Sequence, residues 1–209
     1  MTEPLRLRGE KLKKTFNRRV IFHDVSFSIE RGQTLLITGR NGSGKSTLVK
    51  IICGVLSSSD GTVHLEGVGK GEQRAASIGL VAPYLQMYDE FSARENLQLA
   101  LALRGLPPAD ERVDDVLRTV GLFQRRSDPV RTYSSGMKQR VKYGWALIHR
   151  PPLLIVDEPM ANLDADGVAI VRATMGRQRD EGILVVATND LTDIDRYDIR
   201  VDLNDTRQQ

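Results

Sequence analysis

Two rhythms of apolar residues run along this chain. Val25-Ser26-Phe27-Ser28-Ile29 alternates apolar and polar side chains, as a strand with one buried face does. After a turn at Arg31-Gly32, Thr34–Thr38 is a nearly continuous apolar run ending at a glycine, suited to a central parallel strand covered on both faces. Leu48, Ile51, Ile52 and Val55 then recur at i, i+3, i+4 and i+7, which predicts one stripe of a helix. Short strands are expected at 61–65 and 77–82. A Leu- and Ala-rich helix is expected at 94–103, broken by Pro107-Pro108. Asp110 is the expected cap of a helix whose Val113, Val116, Leu117 and Val120 share one face before Gly121 stops it. A further helix is predicted over 135–148, ended by Pro151-Pro152. Apolar strands return at 153–156 and Ile183–Ala187, with a helix over 165–179 between them, and 199–203 alternates like an edge strand. Strand-rich ends around a helical insert predict an α/β fold with a parallel sheet.

Composition narrows the classes without naming a chemistry. With 209 residues, 40% hydrophobic and 27% charged, the chain can bury a sizeable core as one large domain or two small ones. Thirty Lys and Arg against 27 Asp and Glu leave +3, far from the footprint of a dedicated nucleic-acid binder, and no nucleic acid is expected as a partner. The one cysteine, Cys53, excludes an internal disulfide framework and a multi-cysteine zinc site. No apolar run approaches the ~20 residues that span a bilayer. The first 14 residues mix Arg, Lys and Glu among leucines, unlike a signal-peptide core. A soluble, cytoplasmic chain is the expectation.

Chemistry enters at Gly39-Arg40-Asn41-Gly42-Ser43-Gly44-Lys45-Ser46-Thr47, which fits G-x-x-x-x-G-K-[ST] between a predicted strand and a predicted helix. The glycines let consecutive N–H groups turn inward onto phosphate oxygens. Lys45 supplies a cation for β- and γ-phosphates, the Ser46 hydroxyl a ligand for Mg²⁺, and the starting helix its positive end. A turn that merely joined strand to helix would need neither Lys nor hydroxyl. Farther on, Leu153-Leu154-Ile155-Val156-Asp157-Glu158-Pro159 puts two carboxylates at the carboxyl end of a strand, where parallel sheets bind ligands. Asp157 is the candidate Mg²⁺ ligand. Glu158 is the candidate general base for a water attacking the γ-phosphate. Alone, Asp-Glu-Pro reads equally well as a solvated turn, and the upstream loop is what favours the chemical reading.

The stretch Tyr133-Ser134-Ser135-Gly136-Met137-Lys138-Gln139-Arg140 closely resembles the signature motif of the ATP-binding cassette (ABC) ATPases, L-S-G-G-Q, with Tyr133 for the Leu, Ser135 for the first Gly and Met137 for the Gln. Ala161-Asn162-Leu163-Asp164 resembles that family's D-loop, and Phe16 stands at its adenine-stacking position. Motif order and spacing agree from residue 5 to residue 195, nearly the whole chain. The resemblance implies a single domain over 1–209: a P-loop NTPase core (residues 1–83 and 146–209), an antiparallel β subdomain and a helical signature-motif subdomain (84–145). It implies an ATPase using ATP and Mg²⁺, and a second ABC subunit, with ATP drawing a head-to-tail homodimer or pseudo-dimer together. Each ATP would lie between Gly39, Asn41, Gly42, Ser43, Gly44, Lys45, Ser46 and Thr47 of one subunit and Ser134, Ser135 and Gly136 of the other, with Phe16 and Asp164 completing the site. Glu158, Lys45 and Asn189 would carry catalysis, and Ser46 and Asp157 the metal. Ser134, Ser135 and Gly136 open a helix, which is itself an anion site.

Two positions depart from the family. Aligned from both sides, the Q-loop glutamine falls at Pro83, which has no side-chain oxygen; Gln86 is the available surrogate, or else a solvated polar residue. The switch histidine is Asn189, followed by Asp190; Asn donates a hydrogen bond but carries neither proton nor charge. Normal ATP binding with slow hydrolysis is therefore expected. Lacking a membrane span, such a subunit requires separate membrane permease subunits. It is expected on the inner face of the cell membrane, powering transport, with export favoured; its size and its Gly39-Arg40-Asn41-Gly42 are similar to the haem-exporter ATPases of cytochrome c biogenesis. Tyr84, Leu85, Met87, Tyr88 and Phe91 follow the position where family members receive a membrane partner's coupling helix, with ordinary packing an equal alternative. Two further readings are a soluble ABC protein acting on ribosomes or DNA and a nucleotide-dependent switch on a non-membrane partner. The first usually has two cassettes or a long coiled-coil insertion, whereas here about ninety residues without sustained heptads separate Thr47 from Tyr133. Lys11, Lys13, Lys14, Arg18 and Arg19 read as a solvated face, Cys53 as core packing and Trp145 as core or interface. His23, His64 and His149 are too scattered for a metal site.

Overall fold

The computed structural model describes residues 4–69 and 71–204. Along the chain lie β1 (Arg6–Phe16), β2 (Arg19–Glu30), β3 (Thr34–Thr38), α1 (Lys45–Ile52), β4 (Asp60–Glu66), α2 (Glu72–Ala76), β5 (Ile78–Val81), α3 (Ala93–Ala102), α4 (Asp110–Thr119), α5 (Ser135–Leu147), β6 (Leu153–Asp157), α6 (Ala165–Glu181), β7 (Ile183–Ala187) and β8 (Ile199–Asp202). β5-β6-β7-β3-β8 form a parallel sheet and β2-β1-β4 an antiparallel one.

The apolar runs of β3, β6 and β7 are buried at every residue, because the pleat feeds two cores at once. Leu36, Leu154, Val156, Leu184 and Val186 pack with the helical side, including Leu97, Leu117, Val141, Tyr143 and Met175. Leu35, Ile37, Leu153, Ile155, Ile183 and Val185 face the other way, toward α1 and the antiparallel sheet's Leu7, Leu12, Phe22 and Ile29. The expected edge strand at 199–203 is β8, paired on one side with β3.

Several expectations are corrected by local geometry. The helix after the phosphate loop stops at Ile52 instead of reaching Val55: Gly54 turns at φ +76°, and Val55 is 73% exposed. The cap position of α4 falls to Ala109, while Asp110 lies inside the first turn beside Glu111, where carboxylates meet the helix's positive end. Lys14 leaves the solvated basic face. It is buried and its Nζ donates to Ser57 O at 2.7 Å, whereas Lys11, Lys13, Arg18 and Arg19 are exposed. β1 follows no simple alternation because register shifts between Gly9 and Leu12 and between Leu12 and Lys14 interrupt its pairing. Cys53 is half-buried against the second core, and burial pushes its thiol up to about 12. Trp145 packs against the first core under the Arg104 guanidinium, 5.9 Å from the ring centre.

His149 closes the gap between α5 and β6, with Nε2 3.2 Å from Ile78 O. Burial, then the positive charge of Arg104, lowers its pKa from 6.5 to about 4. The unfolded chain therefore takes up a proton at a pH where the folded chain does not. The stability linked to this group is full above pH 6.5 and falls by roughly 2–3 kcal/mol as the pH drops toward 4. His149→Gln should flatten that part of the profile. Urea midpoints that decline as steeply with acid in the variant as in the parent would refute the assignment.

Candidate nucleotide-binding site

β7 lies between β3 and β6, so its carboxyl end separates the loop after β3 from the acidic pair after β6. Residues 39–47 wind from β3 into α1. Gly44 caps that helix at φ +108°, a conformation open to glycine, and a Cβ there would come 2.6 Å from the Ile21 side chain of β2. Ser43 and Lys45 are buried, Thr47 half-buried, and Asn41, Gly42 and Ser46 exposed. The Lys45 ammonium donates to Gly39 O at 2.9 Å and lies 3.7 Å from Glu158 Oε1.

Asp157 ends β6 as a buried carboxylate whose two oxygens have no hydrogen-bond partner of ordinary geometry. Burial raises its pKa, while the nearby Ser46 hydroxyl and then Lys45 and Lys50 pull it back. An orphaned carboxylate beside a hydroxyl is the donor pair that a hard divalent cation requires. Glu158 follows at φ +55°, a strained backbone for a non-glycine residue, held by its N–H donating to Ala187 O at 2.8 Å. Burial raises its pKa too, and Lys45 opposes the rise. Asn189, just past β7, donates from Nδ2 to Asn41 Oδ1 at 3.3 Å, so the switch position touches the phosphate loop.

The structure thus gathers Lys45, Ser46, Asp157 and Glu158, with Asn189 beside Asn41. Phe16, Ser134, Ser135, Gly136 and Asp164 stand apart, sharing no hydrogen bond or ion pair with Lys45, Asp157 or Glu158 among the described residues. Ser134 caps α5, accepting from Met137 N at 3.2 Å, and with Ser135 is exposed. Gly136 is buried against the D-loop segment: a Cβ would come 2.9 Å from Asn162 O. Asp164 spends its carboxylate capping α6, accepting from Gly167 N at 2.8 Å. The Phe16 ring is 44% exposed, with the Lys14 ammonium 4.7 Å from its centre.

Pro83 is exposed, and the Lys142 ammonium donates to the carbonyls of Ala82 and Pro83 at 3.3 and 3.2 Å. Gln86 is exposed and makes no hydrogen bond among the described residues. Tyr84 sits under the Lys50 ammonium of α1 at 4.5 Å. Tyr84, Tyr88 and Phe91 are exposed, the last two stacked at 5.5 Å, while Met87 packs against the core. Two organisers of this region escaped sequence reasoning. Asn96, fully buried, donates to Tyr88 O and Ser92 O and accepts from Tyr88 N, each at 3.0 Å. The Tyr143 hydroxyl, buried in α5, donates to Pro159 O at 3.1 Å and ties that helix to the acidic turn. An Asn three residues after Ala93, on the apolar face of its helix, was the one available signal for the first.

A phosphate-type loop entering a helix from a parallel strand, with an acidic pair two strands away, defines the class of P-loop nucleotide-binding domains. A family model for ABC transporters matches residues 22–161. The linearmycin resistance ATP-binding protein LnrL of Bacillus subtilis is 34% identical over 188 residues, covering 88% of this chain and 60% of that one. The lantibiotic transport ATP-binding protein SrtF of Streptococcus pyogenes is 31% identical over 183 residues, covering 88% and 79%. A solved ATP-binding subunit of an ABC transporter superposes with a TM-score of 0.79 at 29% identity, over 89% of this chain and 80% of the other. CbiO1 from Clostridium perfringens, part of the ABC transporter complex cbiONQ, does so with a TM-score of 0.73 at 29% identity, over 88% and 78%. The chain belongs to the ABC transporter family, as an ATP-binding ATPase domain.

The glycine contacts yield a paired prediction. Gly136→Ala drives a methyl onto the Asn162 carbonyl and should lower stability by about 1–3 kcal/mol, the usual cost of overpacking. Gly176→Ala, inside α6 with nothing within 4 Å, should instead raise it by about 0.5–1 kcal/mol. Chemical denaturation of both variants gives the signs, and equal signs would contradict the packing of α5 on the D-loop.

Proposed function

We propose that this domain binds ATP with Mg²⁺ and hydrolyses it to drive transport through separate membrane permease subunits, from the inner face of the cell membrane. The observation that carries the reading is the convergence of Lys45, Ser46, Asp157 and Glu158 at the carboxyl end of one parallel sheet. Backbone N–H groups of residues 39–47 cradle the phosphates, and Lys45 exchanges its Gly39 and Glu158 contacts for phosphate oxygens. Ser46 and Asp157 hold the Mg²⁺. When bound, the metal neutralises developing phosphate charge. Glu158, its pKa raised by burial, is the base that takes the proton of the attacking water. Asn189 orients a phosphate oxygen by hydrogen bonding alone, so turnover is slow while binding is normal. Phe16 stacks on the adenine.

Ser134, Ser135, Gly136 and Asp164 face a second copy in a head-to-tail dimer that ATP closes. The exposure of Ser134 and Ser135 at the start of α5 and of Asp164 at the start of α6 supports that arrangement. The helical subdomain spans residues 84–145, and its Tyr84, Tyr88 and Phe91 surface receives the permease. Export is the favoured direction, in keeping with relatives named for lantibiotic transport and linearmycin resistance. The Pro83 and Asn189 departures also support a second reading, a nucleotide-dependent switch that closes on ATP and rarely hydrolyses it.

Steady-state turnover with Mg-ATP tests the assignment. Glu158→Gln should lower the rate by about 10²–10⁴-fold, with ATP affinity kept. Fast turnover in the parent, unaffected by Gln86→Ala and Asn189→Ala, would remove the case for slow hydrolysis.

A further inference from the structure

At the opposite edge of the parallel sheet a cavity of 450 Å³ opens, within the size range of small-molecule sites. Two helical faces line it, each spaced i, i+3, i+4, i+7. From α4 come Arg112, Asp115, Val116 and Thr119. From α6 come Thr174, Arg177, Gln178 and Glu181. The floor is Leu147, Arg150, Pro151 and Pro152, between α5 and β6, and Arg31 closes one side.

The charges of this cavity are not paired off. Arg31 donates to the backbone carbonyl of Glu181, whose carboxylate has no ion pair among the described residues, and Asp115 is paired with Arg118. Arg112, Arg150 and Arg177 have no ion pair and no side-chain hydrogen bond among the described residues, and Arg112 Nε is buried without a partner. That Nε is shielded from the cavity, so a ligand there would meet the terminal nitrogens of the guanidinium. Arg112 also lies in the first turn of α4, the positive end of that helix, where a cation is disfavoured. Burial and then the like charge of Arg150 lower its pKa, and both residues line the cavity.

We propose that this cavity is a second anion site, distinct from the phosphate loop, which takes a small organic phosphate on Arg112, Arg150 and Arg177 with its carbon skeleton against Val116, Leu147 and Pro152. Planar guanidiniums match phosphate oxygens in paired hydrogen bonds. Gln178 is not available to the ligand, since its amide donates to Pro151 O at 2.8 Å.

Pyrophosphate is the probe, titrated calorimetrically into full-length protein carrying Lys45→Ala, so that heat from the phosphate loop is suppressed. One molecule should bind per chain. Arg112→Gln, Arg150→Gln and Arg177→Gln should each weaken it by about tenfold, the effect of losing one charge-assisted hydrogen bond. Arg8→Gln, on the exposed face of β1, should leave it unchanged. Arg177 is exposed on α6, so its variant tests the site without disturbing the core, and melting curves without ligand verify that each variant folds. Pyrophosphate binding that vanishes with Lys45→Ala alone, or that all three glutamine variants retain, would overturn the proposal. A cavity that ignores pyrophosphate yet binds an oligo-glutamate peptide in an arginine-dependent way would overturn it as well, in favour of a protein partner.

Discussion

The parallel register of β6, β7 and β3 fixes where every charge of the nucleotide site can stand. Asp157 is level with Ala187, the Glu158 N–H extends that ladder by donating to Ala187 O, and Thr188 N donates to Ile37 O. Three strand ends therefore finish in line, and the loop after Thr38 starts beside them. Because β6 is buried on both faces, slipping it by one residue would swap its two sets of side chains between the cores and turn Asp157 to the other face. The hydrophobic pattern thus positions the carboxylates. It also sets their chemistry, since a carboxylate at the end of a dry strand is raised in pKa and lacks partners until a cation arrives.

One helix then ties together the segments that flank that site. α5 begins at Ser134, presses Gly136 against Asn162, reaches Asp89 through Lys138 at 2.9 Å, holds the Ala82 and Pro83 carbonyls through Lys142, and bonds Pro159 through Tyr143. Lys138 and Lys142 are four residues apart and share a face. Proline at residue 83 leaves this link intact, because Lys142 grips backbone carbonyls that any residue supplies. Motion of the 82–89 segment and motion of α5 are then difficult to separate, whatever occupies position 83.

Legibility in the sequence followed burial symmetry. The runs at 34–38, 153–156 and 183–187 were plain because both faces are covered and no polar residue interrupts their apolar stretches. β1 was not, since its bulges break the period of two and bury Lys14 where alternation called for solvent. The end of α1 was overrun because Val55 kept the helical spacing after Gly54 had already turned the chain. Site residues fixed by one local motif, Gly39 to Thr47 and Asp157-Glu158, were readable. Asn96, Tyr143 and the Lys142 carbonyl contacts were not, as each depends on a segment 5 to 60 residues away. The arginine cavity was invisible for the same reason, being assembled from four separate segments.

The two edges of the sheet carry opposite kinds of unpaired charge, and their energetics differ in an instructive way. At the carboxyl edge, Lys45 already stands near the acids and offsets part of their burial. At the other edge, Arg150 and Arg177 are exposed and have no ion pair among the described residues. Arg112 has no such offset: it stands at a positive helix end with Arg150 close by and a buried Nε unpaired. An orphaned buried donor costs roughly 1–3 kcal/mol. An anion between α4 and α6 would relieve the repulsion between those guanidiniums, so the same residues that weaken the isolated fold are the ones that would favour a bound phosphate.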